Sequence, residues 1–430
     1  MADTTSPAGG ADSLAPTQPT PTGSENQKTI IMSRAEGDTS IRPFNYHATD
    51  DELADLKRRI EATRWPEPET VNDQTQGVQL GVSQALAEYW ASKYDWRRCE
   101  AQLNALPNFI TEIDGLDIHF IHVRSKHENA LPVIITHGWP GSVVEQMKII
   151  GPLTDPTTHG GTAEDAFHVV VPSMPGYGFS GRPATTGWDP AHIARAWNTL
   201  MKRLGYTRYV AQGGDWGAIV TDMMGVQAPP ELLGIHVNMP GVIPRDIDAA
   251  LFTGGALPPN LSDEEKRTCE QLSFVYKKGI GYGFQLGLRP QSMGALADSP
   301  VGLATYLLDH DAASLRHISA LFVDEAPYGA ITRDDILDNI TLTWLTNTGV
   351  SSGRLYWENK DSFFAVKGVT VPTAVSVFPE ELYEAPRSWA ERAYPKLIHY
   401  NRLPEGGHFA AWEQPDFLVG EMRTGFRSLR

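Results

Sequence analysis

Three apolar runs in the middle of the chain each end in a glycine-rich turn: "LPVIITHGWPGS" (131–142), "FHVVVPSMPGYGFSG" (167–181) and "YVAQGGDWGAIV" (209–220). A short apolar run without polar alternation reads as a strand buried on both faces. Helix-compatible stretches such as "PAHIARAWNTLMKRLG" (190–205) lie between and after them. Strands alternating with helices specify a parallel sheet covered on both sides. Such sheets place their ligand beyond the carboxyl ends of the strands, where these glycine-rich turns fall.

The flanks add to this α/β core. "FITEIDGLDIHFIHVRS" (109–125) alternates like a hairpin turning at Asp114-Gly115. Upstream, Thr49 and Glu52 fit a capping box, followed by Leu53, Leu56 and Ile60 on one helical face. A second helix is expected through "SQALAEYWASKYDWRRCEAQLNAL" (83–106), with Leu86, Trp90 and Tyr94 as a core-facing stripe. Residues 240–354 are mostly helical in pattern and rich in Tyr and Phe, which predicts a helical insertion over the sheet. "VTVPTAVSVFP" (369–379) and "LIHYNRLPEGGH" (397–408) then read as two more buried strands, with a closing helix carrying Leu418, Met422 and Phe426. The expected division is a disordered tail (1–40), an N-terminal helical extension (41–108), a core in two parts (109–239 and 355–430) and a cap (240–354).

Composition narrows the partners. A net charge of −16 argues against nucleic acid, whose binding needs basic clusters. No stretch reaches the roughly 18 uninterrupted apolar residues of a membrane span, so no membrane insertion is expected. The start, rich in Pro, Thr, Ser and Gly, carries no apolar block of the kind a signal peptide needs. Two distant cysteines, Cys99 and Cys269, lack metal-type spacing and read as reduced thiols. A cytoplasmic protein is expected; a homodimer through the N-terminal helices stays open.

In "QGGDWGAIV" (212–220), Gly213, Gly214 and Gly217 surround Asp215 with the spacing of a strand-to-helix elbow, whose tip is usually serine. His408 follows the last expected strand, and "FPEEL" (378–382) supplies an acid after the one before it. The order nucleophile, acid, histidine is that of α/β-hydrolases. With "HGWPGS", "GGHFAAWEQP", the insertion and the "RPF…LKRRIEATRWP" and "YW…YDWR…E" patterns, the chain from Arg42 onward resembles the epoxide hydrolases of the α/β-hydrolase superfamily. Its N-terminal region is similar to that of the microsomal type, although the start is polar where anchored relatives are hydrophobic.

That resemblance implies hydrolysis of a small-molecule epoxide by water to a vicinal diol, with no cofactor and no metal. It implies Asp215 as nucleophile, His408 as base and Glu381 as relay acid, with Glu380, Glu384 or Asp246 as rivals for the last role. It implies an oxyanion hole from the backbone N–H groups of Trp139 and Trp216, a cis Trp139–Pro140 bond, and substrate contacts from His137, Gly138 and Pro140. The cap motifs "GY..Q" and "SSGRLYWEN" give Tyr282 and Tyr356 as ring-opening acids; Tyr276, Tyr306 and Tyr328 read as structural. Chemistry favours the aspartate independently. An epoxide carbon is saturated, and a carboxylate is ionised at neutral pH, so it can displace without a base to prepare it. Histidine is then free to activate water against the resulting ester.

The nearest alternative is a haloalkane dehalogenase, which shares the Asp attack and uses a Trp after the nucleophile; the paired tyrosines and "HGWPGS" point to epoxides instead. A hydrolase-fold ligand-binding protein without catalysis should have a damaged triad, and this chain keeps all three members in order. A serine esterase has no serine on this elbow; Ser173 and Ser180 fit active-site lining at best.

Overall fold

The computed structural model describes residues 38–430; of the expected disordered tail only 38–40 fall within them, and the Thr39 carbonyl there accepts a hydrogen bond from Thr111 Oγ1. Among the described residues nine strands form one sheet: β1 (Arg42–Pro43), β2 (Asn108–Ile113), β3 (Leu116–Val123), β4 (Leu131–Thr136), β5 (Phe167–Pro172), β6 (Tyr209–Gly213), β7 (Leu232–Val237), β8 (Thr373–Val377) and β9 (Leu397–Arg402). Their order is β1-β2-β3-β5-β4-β6-β7-β8-β9. From β5 onward every neighbour is parallel, while β1, β2 and β3 join antiparallel at one side. The β2–β3 hairpin turns at Asp114 and Gly115 with φ of 51° and 80°, the left-handed pair that a tight two-residue turn needs.

β4 and β6 lie at the centre and are buried along their whole length. They cross between β5 and β7, so the glycine-rich turns after β4 and β6 emerge side by side. Helices Pro190–Arg203 and Trp216–Gln227 pack together against this centre. Three expectations are corrected. Strand β9 is not buried: it is the edge of the sheet with one neighbour, and Ile398 keeps 39% exposure. Strand β7 was not among the expected strands. The single helix expected over 83–106 is two, Leu80–Ser92 and Trp96–Ala105, because Asp95 caps the second by accepting the Arg97 N–H at 2.9 Å.

Between β7 and β8 the chain makes seven α-helices, from Arg245–Thr253 to Gly349–Glu358. The last runs through position 354, so an insertion ending there would cut it. The N-terminal helices are tied to this insertion. Trp90 Nε1 donates to Thr341 Oγ1 at 3.0 Å, and Tyr94 and Arg98 both reach Asp338 Oδ1, at 2.7 and 2.6 Å. Leu86 and Trp90 are buried, as a core-facing stripe requires.

Candidate active site

Asp215 stands between the end of β6 and helix Trp216–Gln227 with φ 50° and ψ −130°, a backbone state that costs a non-glycine residue on the order of 1–3 kcal/mol. The turn is this sharp because its glycines let backbone meet backbone. A Cβ on Gly213 would lie 2.1 Å from the Gly217 carbonyl oxygen, and one on Gly217 would lie 1.9 Å from that of Thr136. The strain holds the carboxylate out at the carboxyl end of the sheet, yet buried at 5% exposure.

The loop after β4 wraps this carboxylate. The Trp139 N–H donates to Asp215 Oδ1 at 2.7 Å. The Trp139–Pro140 bond is cis, and the Pro140 carbonyl accepts Asn339 Nδ2 at 2.8 Å. Gly138 packs so close to Asp215 that a Cβ would sit 2.4 Å from its Oδ1. Trp216 opens the following helix, and the Asp215 side chain caps none of that helix's amides; only one of the two expected oxyanion donors is therefore brought onto the carboxylate. His137 is committed to the backbone. Its Nδ1 donates to the Gly138 carbonyl at 3.0 Å and its Nε2 accepts the Met174 N–H at 3.2 Å. Burial pushes its pKa down to about 4, so it stays neutral and shapes the loop.

His408 lies on the loop after β9 with Nε2 3.5 Å from Asp215 Oδ2, and its Nδ1 meets Glu381 Oε1 at 2.6 Å. The rival acids point elsewhere: Glu380 bonds His317, Arg316 and Tyr328, Glu384 pairs with Arg402, and Asp246 is exposed on a cap helix. Burial opposes charge on His408, but Glu381 and Asp215 outweigh it and push the imidazole up to about 10. Glu413 holds the loop by accepting the N–H groups of Gly407 and Phe409.

Tyr282 and Tyr356 descend from the insertion. Tyr282 stacks on Trp139 at 4.8 Å, Tyr356 meets Trp216 edge-on at 4.8 Å, and the two phenol rings are 5.9 Å apart. Burial of the phenols, reinforced by the Asp215 charge, holds both pKa values well above the ordinary value. Both are therefore neutral donors at neutral pH. Tyr276 and Tyr328 are bound to Asp248 and Glu380, and the Tyr306 hydroxyl reaches the Tyr282 carbonyl at 3.5 Å. Ser173 and Ser180 do not line the site; both bind His119 and tie the loop after β5 to β3.

Sequence reasoning missed His310, which reaches Asp215 Oδ2 at 4.0 Å from the insertion. Asp215, His310 and His408 present ligand-type atoms within 4.8 Å of one another, a set that could hold a metal ion. No local motif marks His310, since only the corner between two cap helices brings it inward.

A central parallel sheet, an aspartate on the elbow and a His–Glu pair behind it define an α/β-hydrolase. The comparisons make this specific. "Epoxide hydrolase N terminus" matches residues 41–146 and "alpha/beta hydrolase fold" matches 132–260. A Stigmatella aurantiaca protein whose name places it among the epoxide hydrolases is 51% identical over 91% of this chain and 86% of its own. Epoxide hydrolase 1 of Oryctolagus cuniculus is 36% identical over 90% of this chain and 88% of its own. The crystal structure of juvenile hormone epoxide hydrolase from the silkworm Bombyx mori aligns with a TM-score of 0.78 at 31% identity, covering 91% of this chain and 96% of that one. The chain belongs to the epoxide hydrolase family. Among the described residues no helix is long and apolar enough to cross a membrane.

Proposed function

We propose that this protein hydrolyses a small epoxide to a vicinal diol through an ester on Asp215. The observation that carries this reading is the division of labour at that carboxylate: Oδ1 receives the Trp139 N–H, while Oδ2 faces His408 Nε2. Oδ2 attacks a ring carbon. As the C–O bond breaks, Tyr282 and Tyr356 donate to the oxygen, which as a free alkoxide is a poor leaving group; such general acid help is worth on the order of 10²–10⁴-fold.

Esterification removes the negative charge of Asp215, one of the groups that keep His408 protonated. The imidazole then gives up its proton more readily and can act as base on a water attacking Cγ. Glu381 holds the tautomer with its lone pair on Nε2. Charge developing on Oδ1 falls on a donor already in place, and preorganisation of this kind is worth about 2.7–4 kcal/mol per hydrogen bond.

The buried free thiols Cys99 and Cys269 fit a reducing compartment, and we place the enzyme in the cytoplasm. The test is one turnover of styrene oxide in ¹⁸O water. Label is expected in the Asp215 side chain and absent from the first equivalent of diol; label passing directly into that diol overturns the reading.

A further inference from the structure

A second histidine–carboxylate pair faces the same oxygen as the first. Asp311 caps helix Ala312–Val323, accepting the Ser314 N–H at 2.8 Å with Oδ1, and its Oδ2 meets His310 Nδ1 at 3.1 Å. That contact makes Nδ1 the donor and leaves a lone pair on Nε2. The His310 side chain is 1% exposed, and its Nε2 has no hydrogen-bond partner among the described residues. A buried polar atom left without a partner is costly to keep. His408 repeats the pattern, with Nδ1 on Glu381 and Nε2 unpartnered beside Asp215 Oδ2.

The two imidazoles lie 4.3 Å apart between centroids, and a ring nitrogen of each lies within 4.8 Å of one on the other. Two hydrogen bonds of about 2.8 Å meeting at one tetrahedral oxygen span a similar distance. Once esterification has let His408 lose its proton, a water placed there would give one proton to each nitrogen. A cavity of about 20 Å³ lined by His310, Ser314 and Asn339 lies against His310, space enough for one water, and Asn339 Oδ1 is another buried acceptor without a partner. His310 also lies against Tyr282, with ring centroids 5.1 Å apart.

We propose that His310 is a second catalytic histidine, acting only in ester hydrolysis: its Nε2 shares the attacking water with His408 and then returns a proton to Tyr282. This rests on the function proposed above. The protons balance, with the one that His408 loses to solvent on esterification regained from solvent when the Asp215 carboxylate is restored. Tyr282 gives its proton to the ring oxygen and becomes a phenolate. His408 takes one proton from the water as its oxygen bonds to Cγ, then passes it to the departing diol oxygen as the ester bond breaks. The water's second proton remains on the new carboxylic acid, against His310 Nε2. It moves through that nitrogen to the phenolate, restoring the carboxylate and the phenol.

The experiment follows the styrene oxide ester on Asp215 by intact mass in single turnovers, with EDTA present so that no cation occupies the cluster. Variants H310F, H310Q and D311N are compared with wild type. In H310F the ester should form within about threefold of the wild-type rate and hydrolyse roughly 10–100-fold more slowly, so that it accumulates. H310Q, which keeps an acceptor, should recover part of the loss, and D311N should follow H310F. Ester hydrolysis at wild-type speed overturns the proposal, as does a fall in ester formation equal to that in hydrolysis. If H310F does not fold, H310Q and D311N decide by the same two rates. A wild-type chain that yields diol without ever carrying the ester refutes the function reading itself, and this proposal with it.

Discussion

Glu381 and Glu380 are adjacent in sequence and serve different structures. Glu381 Oε1 lies 2.6 Å from His408 Nδ1, inside the site. Glu380 turns outward to His317, Arg316 and Tyr328. Replacing Glu381 by Gln should therefore lower ester hydrolysis by about 10²–10⁴-fold, because the amide cannot fix the histidine tautomer. E380Q should change turnover by no more than about threefold. Steady-state kinetics with quenched-flow measurement of the ester checks both; equal effects would remove the special place given to Glu381.

In the proposed reaction the paired phenols act in the first half. Y282F and Y356F together should slow ester formation by about 10²–10⁴-fold, with each single change less severe because the other donor remains. Hydrolysis of an ester already formed should fall much less in Y356F than in Y282F, since only Tyr282 borders His310. Burst kinetics separate the two steps. Full activity in the double variant would favour a leaving group that needs no acid.

Glu145 is buried on the loop after β4, and burial pushes its pKa up to about 8. The folded protein thus holds a proton that the unfolded chain releases near the ordinary carboxylate value of about 4.5. Stability from this group is complete below that value and is lost as pH rises through about 8, because the native state binds more protons across that window. The loss is on the order of a few kcal/mol. Melting temperatures from pH 5 to pH 9 should fall less steeply in E145Q than in wild type; parallel curves would show that Glu145 is not the proton held.

The central architecture was legible because burial on two faces leaves a strong one-dimensional pattern, as in "PVIIT" and "VVVP". Strand β7 escaped because "LLGIHV" carries a glycine, a histidine and no glycine-rich turn after it. The edge position of β9 depends on which strands neighbour it, which no local pattern encodes. Asp215 and His408 were legible from their turns. Three carboxylates crowd within five residues after β8, however, and only the path of that loop decides that Glu381 faces inward. His310 depends on a corner between two helices of the insertion, where nothing in the string marks the direction of the turn.

The helix Arg333–Leu345 carries Thr341 and Asp338, which receive the N-terminal helices, and Asn339, which grips the Pro140 carbonyl beside the nucleophile. Roof, brace and catalytic loop are thereby riveted at one beam. A change in this one helix therefore reaches all three parts at once.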